Sequence, residues 1–263
     1  MKNHQTTRKP GLTLAELLVA SAVMGILCVG FGTLAVSVQM ANTFAQERNQ
    51  VGQHARVILL RIENAIQKAH ATEAFPGFLP ITYDDGSYDF PQAIAIWNPS
   101  GIPTNDYPLV NQLTFFACDP AAPNRLLEIT NPSLTTVAPA LNAPSDWRNL
   151  VQRLIDDTNS DMVEITDLLR AGKLGSNFYS TLRFKSRITP TATELAEARA
   201  GTVSWESLNW PTSIYSSQSG LRQAWCAFEF QLVPSSDIAT HATFKDESSP
   251  FFGSSALYYQ VTR

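Results

Sequence analysis

A single carboxylate stands at the start of the chain's longest uncharged stretch. Glu16 is followed by a run from Leu17 to Gln46 that contains no Asp, Glu, Lys or Arg. That run exceeds the ~18 apolar residues that mark a bilayer-crossing helix. A charged side chain in the hydrocarbon costs at least about 2.5–3.5 kcal/mol on insertion scales, so Glu16 requires a partner. Helix geometry supplies one. If the chain were cut after Gly11, the new α-amine would belong to Leu12, four residues before Glu16 and on the same helical face. That amine, in the same chain or in a neighbour packed alongside, would neutralise the carboxylate.

The residues around this pair, Lys9-Pro10-Gly11-Leu12-Thr13-Leu14-Ala15-Glu16, form a recognisable order. A basic leader is followed by Gly, an apolar residue, Thr, a Glu fifth after the cut, and a continuous apolar helix. The segment resembles the processing site of type IV prepilins, a family that includes major and minor pilins and the pseudopilins of type II secretion systems. The likeness covers about residues 8–40. It implies cleavage after Gly11 by a membrane-embedded prepilin peptidase, N-methylation of Leu12, and a role for Glu16 in aligning an incoming subunit with a filament. It further implies partners: other pilins or pseudopilins, the inner membrane, and an assembly platform. Leu12 departs from the family's usual Phe but is also apolar.

Two other readings compete. A secretory signal peptide has a basic start, an apolar core of ~7–15 residues and a small-residue cleavage site. Lys2, Arg8, Lys9 and Ala20-Ser21-Ala22 fit parts of that pattern, but the apolar run continues past Ala22 and Glu16 interrupts it. An uncleaved signal anchor explains everything except Glu16 and its distance from Gly11. In that alternative the chain is a membrane-anchored binding module for cargo, a surface or DNA.

Lys2, Arg8 and Lys9 precede the span, with no acidic residue before Glu16, which predicts a cytoplasmic N-terminus and a single pass. Everything after about residue 40 would then lie outside the cytoplasm, in the periplasm or in an extracellular filament. Loss of the leader, residues 1–11, removes three of 19 basic residues and none of 23 acidic ones, moving the net charge from −4 to −7. Duplex binding draws on clustered Lys and Arg, so nucleic acid is not an expected partner of the bulk surface.

The element that must position Glu16 is a long helix over residues 12–71, with a transmembrane half at about 14–40 and an amphipathic half at about 47–71. In the second half Val51, Ala55, Ile58, Ile62, Ile66 and Ala69 recur at steps of three and four. Gly52 weakens that pattern by about 1 kcal/mol relative to Ala, and Pro76, Gly77 and Pro80 end it. Such a helix would be roughly 90 Å long. Gly25, Gly30 and Gly32 in the first half either permit close helix contact or reflect the ordinary use of Gly in membrane helices.

Residues 72–263 are sufficient for one core-bearing head. Strand-like segments occur at 93–97, 112–118, 125–130, 180–188, 222–233 and 257–262, separated by turn-forming residues. The expected fold class is α+β, with an antiparallel sheet packed across the amphipathic half-helix, as the family resemblance also implies. Helical insertions are expected at about 145–172 and 191–201. The first would comprise a helix capped by Ser145 and a second capped by Ser160, and the other would open on the capping box Thr191-x-x-Glu194. These insertions enlarge the head beyond a minimal pilin head. That favours a minor subunit near a filament tip, resembling J-type pseudopilins or W-type minor pilins.

Other residues with chemical potential are few. Cys118 and Cys226 fall in strand-like segments on the side where disulfides persist, so they could pair, or remain buried thiols. Cys28 reads as a filler of the span. His4, His54, His70 and His241 lack metal-ligand spacing, and His54 and His70 read as solvated positions on the helix. Asp84-Asp85-Gly86-Ser87-Tyr88-Asp89 offers oxygens for Ca²⁺ but lacks the closing Glu of an EF-hand and reads as an Asx-type turn. Asp156, Asp157, Asp161 and Glu164 read as solvated charges at a helix–helix junction. Trp97, Trp147, Trp205 and Trp210 would serve a binding surface if exposed and a core if not. No P-loop, HExxH, CxxC or nucleophile elbow occurs, and neither an enzymatic activity nor a cofactor is expected.

Overall fold

A computed structural model describes residues 13–84, 86, 88–174, 177–235 and 248–263. The chain forms two compact units, 1–49 and 50–263. The helix α1, Leu14–Gln67, runs continuously through the boundary. In the second unit α1 buries Val51, Ala55, Ile58, Ile62 and Ile66, the face anticipated from their spacing.

The remainder of the second unit is built on antiparallel sheets. Strands β1 (Phe78–Asp84), β2 (Asp89–Trp97), β3 (Leu113–Cys118) and β4 (Leu126–Thr130) precede helix α2 (Pro144–Asp156). Then come β5 (Asp161–Thr166), β6 (Ala171–Leu174), β7 (Asn177–Ser180) and β8 (Arg183–Thr189). Helix α3 (Ala192–Arg199), β9 (Ser219–Leu232) and β10 (Ser249–Thr262) complete the order. Strands β1 to β5 form one five-stranded meander, β10-β9-β8 a second sheet, and β6-β7 a two-stranded ribbon. Among the described residues every strand pair is antiparallel. The fold is therefore α+β, with more than one sheet where a single one was expected.

The five-stranded sheet is covered on both faces. Ile94, Ile96, Phe116 and Leu126 share a core with the buried face of α1 and with the β8–β10 sheet. Ala93, Ala95, Trp97, Phe115 and Ile129 share another with Trp147, Leu150, Val151 and Leu154 of α2. Two-sided burial explains why β2 ends in a continuous apolar run, Ala93 to Trp97, rather than an alternation.

Several expectations require correction. The second insertion helix, placed over 160–172, is absent: residues 161–166 are strand β5 and 171–174 are strand β6. Asp157 makes an Asx turn by accepting the Asn159 backbone N–H at 2.9 Å, which breaks the chain direction after α2. Val163, Ile165 and Thr166 then suit a strand that pairs with β4. The acidic residues Asp156, Asp157, Asp161 and Glu164 thus surround a helix–strand junction. The Asn159 N–H also holds the Asp157 carboxyl below its ordinary range.

Helix α2 begins one residue before Ser145, with Ala143 at the N-cap and Pro144 in its first turn, where a missing N–H costs nothing. Helix α1 stops at Gln67, four residues before Ala71, because the His70 N–H donates to the Trp97 carbonyl at 2.8 Å. Strand β1 contains Pro80, which the sequence read only as a stop. At a sheet edge proline is tolerated, and Pro80 pairs in register with Ile94. The capping box of α3 is present: Glu194 accepts from the Thr191 N–H at 2.6 Å and the Glu194 N–H donates to Thr191 Oγ1 at 3.2 Å.

Cys118 and Cys226 are both free thiols, so the candidate disulfide is not formed. They belong to one core but to different sheets, β3 and β9, and neither strand pairs with the other. Burial pushes both thiols up to about 12, which leaves almost no thiolate at neutral pH. We expect the native full-length chain to resist alkylation at Cys118 and Cys226 and to react at both once denatured. Peptide mapping of maleimide-treated protein under non-reducing conditions reads this directly; a 118–226 disulfide peptide would refute it.

Candidate functional site

Glu16 is the third residue of α1, and its carboxylate folds back onto Thr13. Glu16 Oε2 accepts from the Thr13 backbone N–H and from Thr13 Oγ1, each at 2.9 Å. The Glu16 N–H in turn donates to Thr13 Oγ1 at 3.3 Å. This reciprocal arrangement is a capping box, which satisfies two of the donors that every helix start leaves open. The Thr-x-x-Glu spacing that marks the start of α3 is equally present at Thr13–Glu16, so the sequence carries a local signal for this cap besides the charge. Gly11 and Leu12, the cleavage and N-methylation candidates, lie outside the described residues.

Beyond Glu16 the first unit presents apolar side chains around the whole helix. Leu14, Leu17, Leu18, Met24, Ile26, Val29, Phe31 and Met40 are all exposed. No residue from Leu14 to Gln46 is buried within the chain, and α1 is the one helix among the described residues long and apolar enough to cross a membrane. The hydroxyls in this stretch turn inward to their own backbone. Ser21 donates to the Leu17 carbonyl at 2.8 Å, Thr33 to Gly30 at 2.9 Å and Ser37 to Thr33 at 2.9 Å. Satisfied in this way, they need no water, as a hydrocarbon environment demands. Gly25, Gly30 and Gly32 have open space where a Cβ would stand, so either reading of these glycines is compatible with the chain. Cys28 is exposed on the same segment.

Among the described residues of the second unit, none of the other candidates is brought into a reactive group. His54 is half-buried, with Nδ1 2.8 Å from Thr166 Oγ1, and His70 packs edge-on against Trp97. Both contribute to packing rather than to a solvated helix face, and His70 lies beyond the end of α1. His4 and His241 are outside the described residues. Asp84 Oδ1 accepts the Gly86 N–H at 2.6 Å and Gly86 has φ +90°, the contact of an Asx turn at the end of β1. Asp85 and Ser87 are outside the described residues. Trp97, Trp147, Trp205 and Trp210 are all buried, which removes them from any binding surface.

One cavity in the head was not visible in the sequence. About 410 Å³ in volume, it is lined by Tyr83, Gln92, Cys118, Pro120, Phe178 and Tyr179 among others. It forms where β1–β3 meet the β6–β7 ribbon, an adjacency that no local pattern encodes. Gln92 Oε1 is buried without a donor.

No family model, curated protein or solved structure matches the chain.

Proposed function

We propose that this protein is a structural minor pilin or pseudopilin of the type IV pilus or type II secretion class. It is processed by prepilin peptidase after Gly11, methylated at Leu12 and drawn from the inner membrane into a filament, near its tip. The observation that carries the reading is the start of α1. The Glu16 carboxylate caps a helix whose next thirty residues carry no charge; the first twenty or so are predominantly apolar (roughly the length that spans a bilayer), and none of the thirty is buried within the chain. A soluble domain buries such a surface; a membrane or a bundle of neighbouring helices is the remaining way to cover it.

The capping box is compatible with the intermolecular role of Glu16. A carboxylate offers about four lone-pair directions, and Thr13 occupies two of them through Oε2. The rest can accept an α-amine. Cleavage after Gly11 would place that positive amine at the positive end of the α1 macrodipole, an unfavourable position that a carboxylate in the first turn offsets. The pilin-like layout is supported by the second half of α1 lying in the core of the antiparallel head, and the minor-subunit assignment by the size of that head. Lys2, Arg8 and Lys9 support a cytoplasmic N-terminus with the head outside.

The test is the mass of the N-terminal peptide of membrane-extracted protein, with and without co-expressed prepilin peptidase. The expected result is a peptidase-dependent start at Leu12 carrying one methyl group. A start at Met1 in both samples, with a control substrate cleaved, would overturn the processing step and leave an anchored binding module.

A further inference from the structure

Among the described residues the two larger sheets have four edge strands, and three of them are guarded. Strand β1 carries Pro80, β5 carries Asp161 and Glu164, and β8 carries Arg183, Lys185 and Arg187. Charges and proline on an edge are the usual protection against pairing with another chain. The fourth edge, β10, runs for 14 residues from Ser249 to Thr262 without a charged residue of its own; Pro250 stands at its beginning and Arg199 donates to the Thr262 carbonyl at its end, which leaves 251–261 as the unguarded span. Among the described residues β10 pairs on one side alone, with β9.

The side chains on this open strand are self-complementary. Phe252 and Tyr258 are its two large exposed hydrophobics, at 69% and 47% exposure. Their even spacing puts them on one face of the strand. Their midpoint is Ser255. A two-fold axis at Ser255 would set Phe252 of one copy directly opposite Tyr258 of the other, and the reverse, giving two cross-strand aromatic pairs. The same register sets Ser254 opposite Ala256 and Pro250 opposite Gln260, so no charge meets a like charge. Tyr258 is already steadied from its own sheet, where Gln223 Nε2 donates to its hydroxyl at 2.6 Å.

We infer that β10 is a homotypic docking strand, pairing antiparallel with β10 of a second copy about Ser255 to join the two β8–β10 sheets into one. The inference rests on the head alone and stands whether or not the N-terminal helix enters a filament.

Two differently tagged full-length chains, both with Cys28→Ser, test it after co-expression and extraction in mild detergent. One carries Phe252→Cys and the other Tyr258→Cys, with Cys118 and Cys226 silent through burial. Paired positions have Cβ atoms about 4.5–5.5 Å apart, whereas two copies of position 252 would be roughly 20 Å apart at ~3.3 Å per residue. A short bis-maleimide should therefore link the two tags in the mixed sample and leave each variant alone unlinked. The mixed dimer also keeps one Phe252–Tyr258 pair intact. A second variant, Ser254→Lys, should weaken dimerisation of the otherwise unmodified chain at least ~10-fold, because like charges near the axis repel, with the far-UV spectrum unchanged. Self-linking of either cysteine variant, a monomeric unmodified chain by light scattering, or full dimerisation of a folded Ser254→Lys variant would each overturn the inference.

Discussion

If the chain assembles as proposed, Glu16→Ala is expected to reach the membrane as efficiently as the unmodified chain and to drop out of the filament by roughly 100-fold or more. The magnitude follows from removing one member of an ion pair held in a low-dielectric medium, which costs about 3–5 kcal/mol, at about 1.4 kcal/mol per tenfold. Alanine alone, however, confounds two losses, because Glu16 also caps α1 through Thr13. Glutamine separates them. A capping box accepts Gln in place of Glu, so Glu16→Gln preserves the hydrogen bonds to Thr13 while deleting the charge. If the charge acts on a neighbour's amine, Glu16→Gln should fail to assemble as completely as Glu16→Ala. Thr13→Ala provides the reverse control. It should cost about 1 kcal/mol at the helix start and leave assembly largely intact, since the carboxylate remains. Quantifying each variant in sheared filaments against the membrane fraction reads all three. Normal incorporation of Glu16→Gln alongside loss of Glu16→Ala would reassign Glu16 to helix capping.

The parts of the molecule legible in the sequence are those in which a single local pattern dominates. The apolar run after Glu16, the three-to-four spacing from Val51 to Ile66, and the Thr191–Glu194 box each reappear at the expected place. Strands buried on both faces were legible as well, because Ala93–Trp97 and Leu113–Cys118 are too apolar and too short for anything else. The failures occur where the deciding contact is distant. Residues 161–166 hold enough apolar side chains for either period, and it is pairing with β4, thirty residues earlier or more, that makes them a strand. Pro80 reads as a breaker until its strand is known to be an edge. Cys118 and Cys226 lie in strands of suitable type, yet those strands belong to separate sheets. At the candidate site the carboxylate and its position were legible. Its capping partner, Thr13, stands three residues away in the same Thr-x-x-Glu spacing, a signal for open backbone donors that charge and hydropathy do not register.

Truncation of the buried α1 face carries the largest expected effect on stability. Ile58, Ile62 and Ile66 are all fully buried at four-residue spacing, in one core with Phe78, Ile94 and Ile96 of the five-stranded sheet and with Phe228 and Leu257 of the other. Ile62 is the middle member of that row, so the space left by its loss is bounded by its neighbours on the helix and cannot easily close. Ile62→Ala should therefore destabilise the second unit by about 2–5 kcal/mol, the transfer free energy of the lost methyl and methylene groups plus a cavity term. Val57 and Leu60 lie on the same stretch of helix with 42% and 52% exposure. Val57→Ala and Leu60→Ala should fall within about 0.5 kcal/mol of the unmodified chain, as exposed substitutions usually do. Denaturant unfolding of the full-length chain in detergent, followed by the fluorescence of its buried tryptophans, gives all three values. A clear separation would establish that the C-terminal half of α1 is part of the head's core rather than a stalk leading to it. Equal, small effects at positions 57, 60 and 62 would mean that the head folds without that helix face, and the filament reading would lose the element that ties its apolar segment to its head.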